Sequence, residues 1–343
     1  MLPSGTQNLV NLCYLDIAET ALKEMPQGMS KLNQLHHLSY FIVGKQEEDG
    51  IKELGGLSNL HGSLSIRKLD NVTNGSEALE AKMMDKKHIY SLFLEWFSSD
   101  DYTDSQTEID ILCKLQPYQD LKLLSIDGYR GTRFPEWIGN SSYHNMTSLT
   151  ISSLENCCLL PSLGQLTTLK YLTISDLNGL ETIDDSFYKN EDSSSSVTPF
   201  PLLEFLEFEN MPYWKVWHSS ESYAFPQLKR LTIENCPKLR GDLPVHLPSL
   251  KTLAIRSCEH LVSSLPKAPS VQSLQIVKSH KIVLQELPFS IEFLKIKNYL
   301  FHRHHPTNMC TIFRTNRLFI CHILSRIHKT AHSQVTRVIV NTQ

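Results

Sequence analysis

The residue types most able to do chemistry in this sequence lie close to its end. Imidazole and thiolate groups, which are the ligands that Zn²⁺ prefers, are concentrated there. They are His302, His304, His305, Cys310, Cys321 and His322. No Cys-x2-Cys pair is present, and the spacing of these residues matches no familiar zinc pattern. We therefore predict no metal site.

Catalytic and cofactor-binding motifs are also missing from the sequence. It has no Gly-x-Ser-x-Gly, no His-Glu-x-x-His and no recognisable setting for a catalytic Cys/His pair. Gly44-Lys45 is followed by Gln46 and lacks an upstream glycine at the distance that a phosphate-binding loop requires. The sequence therefore predicts a protein that is not an enzyme and binds no cofactor.

A repeated motif is the main feature of the chain. Residues 228–239 (LKRLTIENCPKL) and residues 250–261 (LKTLAIRSCEHL) share the form LxxLxIxxCxxL and begin 22 residues apart. Paired apolar positions of this kind recur twelve times, at spacings of 20 to 34 residues. The pairs are Leu15/Ile17, Leu38/Tyr40, Leu64/Ile66, Leu92/Leu94, Leu124/Ile126, Leu149/Ile151, Leu172/Ile174, Leu206/Phe208, Leu231/Ile233, Leu253/Ile255, Leu274/Ile276 and Leu294/Ile296. A period in the twenties is typical of a leucine-rich-repeat solenoid.

Each repeat contains one short strand whose side chains alternate between two faces. In the repeat at 228–239, Leu231 and Ile233 share one face, which must be buried against neighbouring repeats. We therefore predict an α/β fold: a curved solenoid with a parallel β-sheet on its concave face, and irregular loops and short helices on its convex face. Cys236 and Cys258 are expected to be buried where the chain leaves the strand, with their thiols bonded to the backbone of the turn.

The outward positions of the strands form the candidate binding surface. They are Glu95, Asp127, Tyr171, Glu207, Glu209, Arg230, Glu234, Arg256, Lys295 and Lys297. Acidic residues prevail in the middle strands and basic residues in the last one, so the centre would attract a partner with a basic patch. The alternative is that these are the ordinary solvated positions of a sheet face.

The chain divides by charge and pattern near residue 300. Residues 301–343 hold six of the 33 Lys and Arg and none of the 36 Asp and Glu, which leaves 27 basic and 36 acidic residues before them. We predict a repeat domain of about 12 irregular repeats at 1–300 and a basic, His-rich tail outside the repeat fold at 301–343. Within the tail, residues 317–329 could form a basic amphipathic helix, or the whole segment could be foreign to the repeats.

Two insertions and four tryptophans complete the pattern. Residues 95–110 are acidic and residues 190–199 are polar, and both lengthen the local spacing of the repeats. They are either solvated loops or contacts for a ligand or another domain. The four tryptophans are predicted to pack in the core, the last two on one face of a helical turn. They are Trp96, Trp137, Trp214 and Trp217.

Several blocks of sequence resemble one protein family. They are residues 2–44, GLSNLHGSLSIRKLDNV (56–72), GYRGTRFPEWIG (128–139), NCCLLPSLGQLTTLKYLTI (156–174) and FPQLKRLTIENCPKLRGDLPVHLPSL (225–250). The chain is similar in these blocks to the repeat region of plant nucleotide-binding leucine-rich-repeat disease resistance proteins of the coiled-coil class. The resemblance implies an intracellular immune receptor, in which the repeats restrain a nucleotide-binding switch domain and take part in effector recognition.

The sequence analysis therefore predicts a protein-interaction module of a plant immune receptor. Its expected partners are a pathogen effector, a guarded host protein and a switch domain that this sequence does not contain; no nucleic acid is expected. Neither a signal peptide nor a transmembrane helix is visible, which favours the cytoplasm over a membrane-peripheral or nuclear location. The open first repeat suggests part of a larger receptor or a truncated product. The alternatives are a substrate-recruiting subunit of a ubiquitin ligase, a receptor ectodomain and a non-signalling resistance-gene fragment.

Overall fold

The computed structural model describes residues 2–3, 5–97, 104–189, 198–218, 223–279, 281–282, 287–297 and 337–341. Within these residues the strands are β1 (Tyr14–Leu15), β2 (His37–Leu38), β3 (Tyr40–Ile42), β4 (Gly62–Arg67), β5 (Ile89–Glu95), β6 (Leu123–Asp127), β7 (Ser148–Leu154), β8 (Tyr171–Leu177), β9 (Thr182–Ile183), β10 (Phe205–Glu209), β11 (Val216–Trp217), β12 (Arg230–Glu234), β13 (Thr252–Arg256), β14 (Ser273–Val277), β15 (Phe293–Lys297) and β16 (Arg337–Asn341). The α-helices are α1 (Gly75–Leu79) and α2 (Ser105–Lys114). Short 3-10 helices lie at Thr6–Asn8, Met29–Lys31, Glu47–Asp49, Ile51–Gly56, Leu69–Asn71, Met83–Asp85, Glu136–Gly139, Leu163–Gln165 and Asp185–Phe187.

One long parallel sheet organises the molecule. It contains twelve strands in the order β3-β4-β5-β6-β7-β8-β10-β12-β13-β14-β15-β16, and every neighbouring pair is parallel. Two smaller parallel pairs, β1-β2 and β9-β11, lie beside it. In the described segments between the strands, the helices are short. This arrangement confirms the predicted solenoid with its parallel sheet.

Two rows of apolar side chains hold the sheet together. From β4 to β15 the first apolar position of each strand lies opposite the first of the next, and the second opposite the second, as in the pairs Leu149–Leu172 and Ile151–Ile174. All of these side chains are buried. Full burial of one such aliphatic side chain stabilises the fold by roughly 1.5–3 kcal/mol relative to leaving it in water. The register of the sheet is therefore set by these two rows.

The chain leaves most strands through the same backbone conformation. The residue directly after the strand's last outward position has a positive φ in eight repeats. These residues are Lys68, Gly128, Ser153, Asp176, Asn210, Asn235, Ser257 and Lys278. The next residue then turns into the core, as Cys236 and Cys258 do, and their thiols donate to the carbonyl oxygens of Glu234 and Arg256 at 3.3 Å. The predicted burial and backbone bonding of both cysteines are confirmed.

The second predicted apolar pair, Leu38/Tyr40, differs from the prediction in its register with the next strand, β4. Phe41, rather than Tyr40, lies opposite Ile66, because Ser39 separates β2 from β3 and shifts the chain by one residue. Tyr40 is buried as well, and its hydroxyl lies 2.9 Å from Thr20 Oγ1, within hydrogen-bond distance. The pattern could not separate two adjacent apolar residues that both enter the core.

The predicted tail at 301–343 is described only at residues 337–341. These five residues form β16, which pairs in register with β15, so they lie in the sheet rather than outside the repeat fold. Val338 and Val340 lie opposite Leu294 and Ile296, and the sequence reading missed them because it required leucine at the first position. The remainder of the tail, with its six candidate metal ligands and the proposed helix at 317–329, lies outside the described residues. A boundary near residue 300 stays a prediction.

All four tryptophans are buried, which confirms that they pack in the core. The predicted helical turn for the last two is wrong: Trp217 is in β11 and Trp214 is in the loop before it. Their rings lie 5.7 Å apart beside Phe208, and the indole N–H of Trp217 donates to the hydroxyl of Tyr188 at 2.7 Å.

The first insertion contains a helix. Asp104 caps the start of α2 by accepting hydrogen bonds from the backbone N–H groups of Gln106 and Thr107. Residues 98–103 of this insertion and residues 190–197 of the second lie outside the described part of the chain. Whether either insertion contacts a ligand stays a prediction.

Helix α2 carries a buried carboxyl group. Glu108 is fully buried, and neither of its oxygens has a hydrogen-bond partner among the described residues. Burial raises the pKa of Glu108 to about 7, aided by the carboxylates of Asp70 and Asp104 and opposed by Arg130 and Trp96. Among the described residues, the indole N–H of Trp96 also lacks a hydrogen-bond partner. Burial therefore favours the protonated form of the Glu108 carboxyl group in the folded chain.

A buried amine lies one repeat earlier. Lys86 is 2% exposed and donates hydrogen bonds from Nζ to the carbonyl oxygens of Leu54 and Leu57, at 2.7 and 3.0 Å. It thus satisfies carbonyls at the end of a 3-10 helix in the neighbouring repeat. Burial lowers the pKa of Lys86 to about 8, with the charge of Asp85 opposing the shift and that of Lys82 adding to it.

The substitution Glu108→Gln should change the pH dependence of stability. The folded-state pKa lies above the ordinary value of 4.5, so the unfolded chain releases this proton first, and stability is lost as pH rises from 4.5 towards 7. The free energy of unfolding of the variant minus that of the parent should rise across this window by about 3 kcal/mol. Chemical denaturation at a series of pH values measures it. The exposed Glu80→Gln serves as the control, and identical curves for Glu108→Gln and Glu80→Gln would contradict the account.

The substitution Lys86→Met should act in a different pH window and in the opposite direction. Between pH 8 and 10.5 the unfolded chain binds a proton that folded Lys86 has lost, so the stability of the parent rises with pH there. The difference in free energy of unfolding between parent and variant should grow by about 3 kcal/mol across the window. Parallel stability curves for the two proteins would show that the buried amine does not titrate as described.

Candidate interaction surface

The ten predicted surface residues all lie on the face of the sheet opposite the core, called the outer face below. Tyr171 and Arg230 occupy the column before the first apolar row, and Glu207 and Lys295 the column between the two rows. The column after the second row holds the other six, namely Glu95, Asp127, Glu209, Glu234, Arg256 and Lys297. Tyr171 and Arg230 are exposed and the other eight are half-buried. Their role in binding stays a prediction.

Some residues in the column after the second apolar row form ion pairs or hydrogen bonds with residues of a neighbouring strand. Glu95 forms an ion pair with Arg67 at 3.3 Å and accepts a hydrogen bond from Ser65 Oγ at 2.6 Å. Glu234 pairs with Arg256 at 2.6 Å. Pairs of this kind between neighbouring strands contribute roughly 0.2–1 kcal/mol each. These residues therefore help to align the strands as well as to charge the surface.

A group of four carboxylates lies at the centre of the outer face. We call Asp176, Glu207, Glu209 and Glu234 the central acidic group. Partial burial raises the pKa of Glu209, and the charges of Glu207, Glu234 and Asp176 raise it further, whereas Arg256 lowers it. Among the described residues, Glu207 and Glu209 form no ion pair. The group is therefore a site of unbalanced negative charge.

An aromatic pair lies beside the central acidic group. The rings of Tyr171 and Phe205 stack at 5.0 Å with an interplanar angle of 15°, and Tyr171 is 46% exposed. The guanidinium group of Arg230 lies 5.8 Å from the centre of the Phe205 ring. Phe205, Glu207 and Glu209 alternate along β10, so the aromatic pair and the carboxylates share one surface. Exposed aromatic residues of this kind are common anchors in protein interfaces.

The sequence analysis missed Phe205 because it selected mainly polar outward positions. The signal was present: Phe205 precedes Leu206 by one residue, as Tyr171 precedes Leu172. Asp176 was missed for another reason. It lies one residue beyond the predicted alternation, at the positive-φ residue near the end of β8, where its carboxylate accepts a hydrogen bond from Asn210 Nδ2 at 3.0 Å.

Other kinds of site find no support in the described part of the chain. It contains no group of three or more His, Cys, Asp or Glu side chains placed to hold a metal ion. In the same residues, no helix is both long and apolar enough to cross a bilayer.

Two sequence families match this chain in overlapping segments. The family described as R13L1/DRL21 LRRs matches residues 51–177, and the family described as plant disease resistance protein RPS2-like, leucine-rich repeats, matches residues 132–266. Among curated relatives, disease resistance RPP13-like protein 1 of Arabidopsis thaliana is 38% identical over 220 residues, which are 61% of this chain and 21% of the relative. Disease resistance protein At3g14460 of the same plant is 38% identical over 303 residues, which cover 72% of this chain and 21% of the relative. The chain thus spans about a fifth of the length of these relatives.

A solved structure supports the fold independently. The structure of TLR13 in complex with ssRNA13 aligns with a TM-score of 0.50 at 17% identity, covering 86% of this chain and 44% of that one. At this identity the likeness shows the fold alone. The two family matches and the in-register parallel sheet show that residues 51–266 are leucine-rich repeats, and these repeats are similar to those of plant disease resistance proteins.

Proposed function

We propose that this chain is the recognition region of a plant disease resistance protein, and that it binds protein partners through the outer face of its sheet. The observation that carries the proposal is the exposed Tyr171–Phe205 stack beside the central acidic group. An anchor that excludes water next to unbalanced charge is the arrangement that specific interfaces use. Support for the wider role comes from the families that match the repeats.

The central acidic group favours a partner with basic side chains. A cation placed between Glu207 and Glu209 would balance the charge that now raises the pKa of Glu209. The aromatic pair would then contact the apolar part of the same segment. Complementary charge increases the association rate and selects among partners more than it adds affinity.

The expected partners follow from the family to which the repeats are similar. They are a pathogen effector, a guarded host protein and a nucleotide-binding switch domain. A partner that binds the outer face more tightly in one state of the receptor shifts the population towards that state. Such a mechanism needs neither catalysis nor a cofactor, and we place it in the cytoplasm.

Neutralising the central acidic group should weaken the binding of basic peptides. A labelled Lys/Arg-rich peptide, titrated into the parent and into the double variant Glu207→Gln/Glu209→Gln, provides the measurement by fluorescence anisotropy. Two exposed charge interactions are lost, so the dissociation constant should rise by about 3- to 30-fold. The effect should shrink at high salt.

A matched control removes the same charge elsewhere. Glu77→Gln/Glu80→Gln changes two carboxylates on and beside α1, away from the outer face. This variant should bind the basic peptide as the parent does. Equal weakening in both double variants would mean that net charge, rather than this surface, determines binding.

A further inference from the structure

Four strands of the sheet begin directly after a lysine that the outward-facing pattern does not include. These lysines are Lys122, Lys170, Lys229 and Lys251, which precede β6, β8, β12 and β13, and we call them the cationic stripe. His61 and His88 hold the same place before β4 and β5. His61, His88, Lys122, Lys170 and Lys251 are exposed, and Lys229 is half-buried.

Backbone hydrogen bonds place these residues side by side. The N–H of Lys170 donates to Thr147, that of Glu204 to Lys170, that of Lys229 to Glu204 and that of Lys251 to Lys229, each at 2.8–2.9 Å. Since neighbouring strands lie about 4.8 Å apart, the stripe from Lys122 to Lys251 extends over roughly 24 Å. The lysines therefore share one edge of the sheet, with Thr147 and Glu204 at the intervening positions.

The one carboxylate between the lysines of the stripe is already engaged. Glu204 forms an ion pair with Lys229 at 2.6 Å. The hydrogen bond from Lys229 lowers the pKa of Glu204, and the charges of Lys229 and Lys170 act in the same direction. Lys122, Lys170 and Lys251 therefore leave net positive charge at this edge of the sheet.

Aromatic rings accompany the stripe. The ammonium group of Lys122 lies 5.8 Å from the centre of the Tyr90 ring, and Tyr90 is 51% exposed. The rings of His61 and His88 stack at 4.6 Å, and the Tyr171–Phe205 stack follows further along. Apolar contacts are thus available next to the cations.

Carboxylates lie at the other end of some of these strands. Asp127 and Glu234 lie five residues after Lys122 and Lys229, a distance of roughly 16 Å at about 3.3 Å per residue. Glu209 ends β10, which lies between β8 and β12, whereas β13 ends at Arg256, the ion-pair partner of Glu234. The outer face therefore has lysines where β6, β8, β12 and β13 begin and carboxylates where β6, β10 and β12 end.

We propose that the cationic stripe binds an acidic peptide segment of a protein partner, laid along the sheet across β6 to β13. The proposal rests on the proposed function and adds a second kind of contact on the same face, between lysines of this chain and carboxylates of the partner. The distribution of charge on the outer face fixes how the partner lies: its acidic side chains meet the stripe and its basic side chains meet the central acidic group.

An acidic peptide fits better than a nucleic acid. A polyphosphate strand carries negative charge on every nucleotide and would lie within roughly 16 Å of the carboxylates at the other edge. The first 300 residues hold 36 acidic and 27 basic side chains, so the surroundings of the stripe repel a dense polyanion. A peptide can place carboxylates at the stripe alone.

The test reverses charge in the stripe and compares three probes. The variant is Lys122→Glu/Lys170→Glu/Lys251→Glu in the full chain, with its fold checked by circular dichroism and thermal melting. The probes are a labelled Asp/Glu-rich peptide of about ten residues, long enough to span the stripe, a Lys/Arg-rich peptide of the same length and an oligouridylate of matching length. The control, Lys23→Glu/Lys31→Glu/Lys114→Glu, makes the same change in net charge at exposed lysines away from the stripe.

The parent should bind the acidic peptide. The dissociation constant of the stripe variant for this peptide should be at least about tenfold higher, whereas the control variant should bind the peptide as the parent does. Equal weakening in both variants, no binding by the parent, or tighter stripe-dependent binding of the oligouridylate would overturn the proposal. Binding of the basic peptide reports separately on the central acidic group. A failure of the stripe is therefore distinguishable from a failure of the proposed function.

Discussion

The in-register stacking of two apolar rows is the constraint on which the rest of this structure depends. A single short strand such as β12 cannot remove Leu231 and Ile233 from water, and only neighbours aligned residue for residue can do so. A slip of one residue would move both side chains to the outer face. The register therefore fixes every outward position at the same time as it forms the core.

This constraint leaves the outward columns free to vary in chemistry. Backbone bonds and buried rows define where Tyr171, Phe205, Glu207 and Lys170 lie, but they do not require those residue types. Lysines directly precede β6, β8, β12 and β13, and carboxylates end β6, β10 and β12. The scaffold thus supplies a rigid surface with fixed spacing, and recognition follows from the side chains placed on it.

The sequence predicted the long sheet well because each of its strands repeats the same short pattern, and the strands of that sheet from β4 to β15 follow it without exception. The prediction failed at two strands. In β3 the sequence pattern did not show which of two adjacent buried aromatic residues, Tyr40 or Phe41, lies opposite Ile66. In β16 valine replaces the leucine that the pattern required. Burial of Glu108 and Lys86 could not be read from the sequence, because their environment comes from other repeats and from the fold of an insertion. The cationic stripe was also missed, since strand alternation says nothing about the residues just before a strand.

The central claim is that one partner contacts both edges of the outer face together. Covalent footprinting tests it with an extended peptide of alternating Glu and Lys, whose two kinds of side chain point in opposite directions. Labelling of lysines and carboxylates is read by mass spectrometry with and without this peptide. We predict joint protection of Lys122 and Lys170 at one edge and of Glu209 at the other edge, together with Glu207 between the two apolar rows. Protection of a single edge, or only of residues away from the outer face, would contradict the account.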